Sequence, residues 1–196
     1  MRNRDENKEL LIRSKAMEMI VKHGFDGLSM QKLAKAANVS PATIYIYFKD
    51  REDLIEQLAL SEVENMVSAT FVDFKPGMPF AKGLKIQWRN RANYWIKNPL
   101  RAQFMEQIRH SPVSAKVHKK AKKEFSIIMR EFVHNAITRG EIVKLPVEVF
   151  WAIAYAPLYQ LIKFHNDGRG LHQEKFALQE KMLDKALKLV IKALKP

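Results

Sequence analysis

Between Leu10 and His23 the apolar residues Ile12, Ala16, Met19 and Ile20 recur on one stripe, while Arg13, Lys15 and Lys22 fall off it. That spacing predicts an amphipathic helix, and Gly24 ends it. A second helix starts at Ser29, a good N-cap, and carries Leu33, Ala34 and Ala37 on one face. Asn38 follows where the chain must pass through the left-handed conformation, which Asn tolerates better than most residues. Ser40-Pro41 pairs an N-cap with a proline at the first helical position, so a third helix begins there. Ile44 and Phe48 lie four apart and are expected to pack inward, leaving Pro41, Ala42, Tyr45 and Ile46 facing out. A helix start with small and aromatic residues exposed, braced by the helix before it, is the helix-turn-helix arrangement that enters a major groove.

The pattern continues as helix. Asp50 with Asp53 forms a cap, and Leu54, Leu58, Val63 and Val67 extend a helix to about Phe71. Pro76-Gly77 and Pro79 break it. Helices are then expected over Phe80 to Lys97, over Leu100 to His110, and along a long stretch that stops at Gly140. Pro146 to about Phe164 is apolar nearly all round and is kinked by Pro157. Its uncharged run is shorter than the ~20 residues that a bilayer needs, so no membrane partner is expected. The last helix shows Phe176, Leu183, Leu187, Val190 and Leu194 at spacings of three and four. Two such helices at the end of the chain suit a four-helix homodimer interface with the same pair from a second copy. The expected architecture is all-α, with about nine helices and no strand. A three-helix head over residues 1–54 precedes a helical body over 55–196.

Composition narrows the function. Cys is absent from all 196 residues, which excludes structural disulfides, thiolate zinc sites and a Cys nucleophile. The charged start of the chain has no apolar signal region, so a cytoplasmic protein is expected. Neither a phosphate-cradling glycine loop nor a nucleophile elbow is found, and the six His residues lack metal-helix spacing. An enzyme, a cofactor and a metal are therefore not expected.

The net charge is +13, but it is unevenly spread. Residues 1–54 hold ten Lys/Arg and eight Asp/Glu, whereas residues 55–196 hold 24 and 13. Global charge implies attraction to polyanions without locating a site. Arg2, Arg4 and Lys8 read either as a solvated tail or as a basic arm beside the recognition helix. Seven basic residues from Lys75 to Arg101 occur with no acid among them, and a second cluster runs from Lys116 to Lys123. These are either solvated faces or surfaces that prefer anions.

Phe25-Asp26-Gly27-Leu28-Ser29, Leu33-Ala34 and the run from Val39 to Leu54 (VSPATIYIYFKDREDL) together resemble the N-terminal domain of the tetracycline-repressor (TetR) family. The likeness spans roughly residues 8 to 56. It implies a ligand-responsive, sequence-specific regulator, most simply a repressor, whose homodimer binds a pseudo-palindromic operator in double-stranded DNA. By that resemblance Ser29 caps a helix and reaches a phosphate, and Gln31 can reach a base. Ser40, Pro41, Ala42, Thr43 and Ile46 form the recognition face, and Tyr45, Tyr47 and Lys49 match the family's phosphate contacts. Pro41, Ala42 and Ile46 cannot make bidentate contacts to bases, so readout is expected to use thymine methyl groups and DNA shape, with Gln31 reading adenine.

The body is rich in aromatics and Met. Trp88, Trp95, Phe104, Met105, Phe125, Met129, Phe132, Trp151, Tyr155 and Tyr159 are expected on inward faces. They form either plain core or the lining of a cavity for a small apolar, aromatic or anionic effector. The rival function is a soluble helical carrier of an anionic amphiphile, favoured by the basic, aromatic-rich body.

Overall fold

The computed structural model describes residues 5–196, apart from the side chains of residues 120–124. It holds ten α-helices and one 3-10 turn, and no strand among the described residues. The chain divides by its packing into two compact units, 1–65 with 100–122, and 66–99 with 123–196.

The first unit contains α1 (Glu6–His23), a 3-10 turn (Phe25–Gly27), α2 (Met30–Ala36), α3 (Pro41–Ile44) and the start of α4 (Arg51–Thr70). α6 (Pro99–Arg109) lies here from Leu100 onward, as does the first part of α7 (Val113–Thr138). α1 starts at Glu6 rather than Leu10, because the Asp5 carboxylate accepts from the Asn7 and Lys8 amides at 3.1 and 3.3 Å. Ile12, Ala16 and Ile20 from α1 meet Leu33, Ile44, Phe48, Leu54 and Leu58 in one apolar core. Phe104, Ile108 and Val117 join that core, so packing places the boundary inside α4 and α7 rather than at residue 54. Glu62, 1% exposed, answers Arg101 at 2.8 Å, which makes its burial tolerable.

The second unit is built from α5 (Phe80–Lys97), α8 (Val147–Ala154), α9 (Ala156–Asp167) and α10 (Glu180–Leu194), with the end of α7. The continuous helix expected over 146–164 is instead two. Pro157 has no N–H to give Ile153, and the chain breaks at Tyr155. The indole of Trp88 fills part of the loss, donating to the Ala154 carbonyl at 2.8 Å. Phe176 lies ahead of α10 rather than within it, edge-on to Phe164 at 5.7 Å. Among the described residues no helix is long and apolar enough to cross a membrane.

Gly83 sits in the first turn of α5, where Ala would ordinarily stabilise a helix by up to about 1 kcal/mol. Here a Cβ would stand 2.5 Å from Phe132 Cε2 and 3.1 Å from Phe74 Cε2. Phe132 is itself packed between Phe74 and Phe80, so its ring has no easy retreat. Gly83→Ala is expected to destabilise this unit by about 1–3 kcal/mol in urea denaturation. A gain in stability would show that the ring moves freely.

Candidate nucleic-acid interface

The geometry of the turn follows from local capping. The Ser29 hydroxyl accepts from the Lys32 amide at 3.2 Å and starts α2. Asn38 takes φ +53°, the left-handed conformation its position requires. Ser40 Oγ then accepts from the Thr43 amide at 3.2 Å and lies 2.9 Å from the Thr43 hydroxyl, starting α3. α3 is only one turn long and tightens beyond Ile44, with Tyr47 N–H donating to the Ile44 carbonyl at 3.0 Å. So short a helix has little stability of its own. Ile44 and Phe48, both buried, hold it to the core.

The next helix is locked to this turn from the far side. Asp50 Oδ1 accepts from the Asp53 amide at 2.8 Å, and Asp53 Oδ2 accepts from the Lys49 amide at 2.8 Å. The Arg51 guanidinium reaches back to donate to the Leu28 carbonyl at 2.9 Å and to the Phe25 carbonyl. Arg13 stacks over the Phe48 ring at 5.1 Å and donates to Gln57 at 3.1 Å. Arg51 was not singled out from sequence, since a cation inside the run from Lys49 to Asp53 reads as solvated charge.

Gln31, Ser40, Pro41, Ala42, Tyr45 and Lys49 are exposed, and Ser29 and Thr43 half-exposed, so these side chains come to the surface of α2, α3 and the turn that follows. Tyr45 is 54% exposed, an uncommon setting for a tyrosine and a useful one for a hydroxyl that donates at fixed reach. Two expected residues are placed differently. Ile46 is half-buried and packs against the core rather than facing out. Tyr47 is 6% exposed, and its hydroxyl accepts from the Asp5 amide at 3.0 Å and donates to the Asp5 carbonyl at 3.1 Å. Its one proton is thus held by the chain, a different task from the phosphate contact expected of it. Tyr47 ties down the start of α1, where hydrogen bonds from the Lys8 amide and ammonium hold the Asp5 carboxyl below its ordinary value. Arg2 and Arg4 lie outside the described residues.

The aromatic residues expected in a pocket do not gather in one place. Phe104 and Met105 belong to the core of the first unit. In the second unit Trp88, Trp95, Met129, Phe132 and Tyr155 are buried, while Phe125, Trp151 and Tyr159 are half-buried. Trp151 lies 4.5 Å from Tyr155, 6.5 Å from Tyr159 and 6.3 Å from Phe125. Burial raises the Tyr155 hydroxyl well above its ordinary pKa, against the opposing pull of the Arg91 charge. The phenol stays neutral and donates to Gln87 Oε1 at 2.8 Å. A separate shallow groove runs along the outer face of α5, past Asn90, Tyr94 and Lys97.

The basic run from Lys75 to Arg101 is divided by the fold. Arg89 pairs with Glu180 at 2.5 Å and lies 3.6 Å from Asp184, while Lys85 lies 4.0 Å from Asp184. Lys75, Lys82 and Lys97 are exposed. Lys116 and Lys119 of the second cluster are exposed as well, and the other three lysines have undescribed side chains. Among the described residues no group of three His, Asp or Glu is placed to hold a metal ion.

Residues 12–58 match the family model described as bacterial regulatory proteins, tetR family. An uncharacterized HTH-type transcriptional regulator of Haemophilus influenzae is 31% identical over 137 residues, which is 69% of this chain and 71% of that protein. The crystal structure of a TetR family transcription regulator from Marinobacter aquaeolei VT8 superposes with a TM-score of 0.85 at 24% identity, covering 99% of this chain and 98% of that one. A TetR-family regulator from Haemophilus influenzae Rd superposes with a TM-score of 0.80 at 24% identity, over 97% of this chain and 98% of that one. With an exposed helix-turn-helix face, a family model over it and a relative matched along most of its length, the chain belongs to the TetR family of bacterial transcriptional regulators.

Proposed function

We propose that this regulator is a cytoplasmic repressor that binds a pseudo-palindromic operator as a homodimer and leaves it when a small molecule enters the C-terminal unit. The observation that carries the reading is the exposed face of Gln31, Ser40, Ala42 and Tyr45, held by a left-handed turn at Asn38. The two recognition helices of a dimer would enter successive major grooves roughly 34–36 Å apart. Gln31 is the residue for adenine, Ala42 suits a thymine methyl group, and Tyr45 with Lys49 suits phosphates. Met182, Ala186, Leu189 and Ala193 support the dimer. They follow one another at spacings of four and three on α10, and Leu189 is 61% exposed. An apolar stripe of this kind is what a second copy would cover. A ligand would release DNA only by binding more tightly to the form whose heads do not fit the operator.

The test is fluorescence anisotropy on duplexes tiled across the DNA upstream of the protein's own gene, with scrambled competitor at two salt concentrations. Tight binding to one duplex is expected. Tyr45→Phe should weaken it about tenfold, the value of one hydrogen bond to a charged group. Gln31→Ala should relax base preference at one position per half-site. Equal, salt-sensitive affinity for every duplex would sink the reading and favour an amphiphile carrier with a basic surface.

A further inference from the structure

Of the seven cations between Lys75 and Arg101, Arg91 alone is taken fully inside: its side chain is 0% exposed. Among the described residues no carboxylate answers it. Instead its guanidinium carbon lies 4.9 Å from the centre of the Tyr155 ring, 5.5 Å from Phe125, 5.6 Å from Trp151 and 6.0 Å from Tyr159. Nη1 donates to the Tyr159 hydroxyl at 2.6 Å. Nε and Nη2 are buried with no hydrogen-bond partner.

Arginine cannot lose its proton in a protein, so burial does not neutralise it. Aromatic faces offset part of the cost of desolvation, but they do not satisfy N–H groups. Nε–H and Nη2–H point the same way along one edge of the guanidinium plane, a fork that matches the two oxygens of a carboxylate. One turn earlier on the same face of α5, Gln87 Nε2 is also buried without a partner, its oxygen already taken by Tyr155. All of these orphan atoms are donors, so what would complete them is an acceptor-rich, negatively charged group. One guanidinium balances one negative charge, whereas a phosphate dianion would leave a charge over among aromatic rings. Phe125, Trp151 and Tyr159, three of the rings around Arg91, are half-buried rather than fully enclosed.

We propose that Arg91, with Gln87 beside it, binds the carboxylate of an organic acid whose apolar body lies among Phe125, Trp151 and Tyr155. The site rests on the reading of the C-terminal unit as effector-binding and names its ligand class: a monocarboxylate on an aliphatic chain or an aromatic ring.

The probes are octanoate and phenylacetate, each beside its methyl ester, titrated into the full-length protein by tryptophan fluorescence and calorimetry. At least one acid should bind tenfold or more tightly than its ester, and Arg91→Gln should erase that preference. Because Arg91→Gln can fail to fold, Arg91→Lys accompanies it. Arg91→Lys keeps the charge but loses the fork, so the acid-to-ester ratio should fall several-fold. Equal affinity for acid and ester, no binding of either acid, or an acid-to-ester ratio left unchanged by Arg91→Gln and Arg91→Lys would overturn the proposal. Operator anisotropy separates this from the broader reading. Release of DNA by neutral compounds alone would leave the regulator intact and remove the carboxylate site. Carboxylate binding through Arg91 without DNA release would keep the site and remove its role as the effector switch.

Discussion

Phe48→Ala is expected to destabilise the first unit by about 3–5 kcal/mol and to abolish specific operator binding. The ring is 1% exposed, lies under the Arg13 guanidinium and packs with Tyr47 at 6.3 Å. Truncation removes apolar area and leaves a cavity that the surrounding helices cannot fill by small shifts. The cost is a large share of the ~5–15 kcal/mol that holds a domain folded. Its effect on DNA binding follows from the length of α3. A helix of four residues takes its orientation from Ile44 and Phe48, so loss of one anchor lets the Ser40 to Tyr45 face tilt. Phe48→Leu keeps most of the volume and should cost about 1.5 kcal/mol or less while leaving the operator affinity within a few-fold. Urea denaturation followed by circular dichroism gives the first quantity, and anisotropy below the unfolding transition gives the second. If Phe48→Ala still bound its operator with native affinity while folded, α3 would have to be oriented by something other than its anchors.

In the second unit the largest effect is expected at Trp88. The side chain is fully buried and its indole N–H holds the Ala154 carbonyl at the break between α8 and α9. Trp88→Ala combines a cavity costing about 3–5 kcal/mol with an unpaired buried carbonyl costing about 1–3 kcal/mol. Trp88→Phe separates the two, since it keeps a ring and removes the donor, and should cost about 1–3 kcal/mol. Hydrogen exchange should then show earlier opening around residues 154–159 in Trp88→Phe than in the native protein. Equal protection in both would mean that the Ala154 carbonyl finds another donor. These two residues have comparable burial, yet only Phe48 is expected to govern DNA contact directly.

The helix-turn-helix was readable residue by residue because its determinants are local. Ser29, Asn38, Ser40 and Asp50 each act on backbone groups within four positions, and each does in the structure what its type and spacing predict. The same is true of Gly24, which ends α1 by donating to the Ile20 carbonyl at 2.8 Å. Pro157 likewise announced a break, although sequence suggested a kink where the chain forms two helices. Amphipathic spacing was sufficient for an all-α fold, with ten α-helices among the described residues against about nine expected.

What failed to show in sequence depended on partners far along the chain. The Tyr47 hydroxyl is taken by Asp5, 42 positions earlier, and no local pattern distinguishes it from Tyr45, which is exposed. Phe104 and Met105 looked like pocket residues because a helical period marks the inward face without naming the core it faces. The run from Lys75 to Arg101 looked uniform. Packing pairs Arg89 with Glu180, sends Arg101 to Glu62 and buries Arg91 among rings. The sequence by itself determined the helices, their caps and the helix-turn-helix, since these arise from short-range hydrogen bonding and steric preference. Only the tertiary structure decided which cations meet a carboxylate and which is buried among aromatic rings, because charge and burial are settled by residues that meet only when the chain has folded.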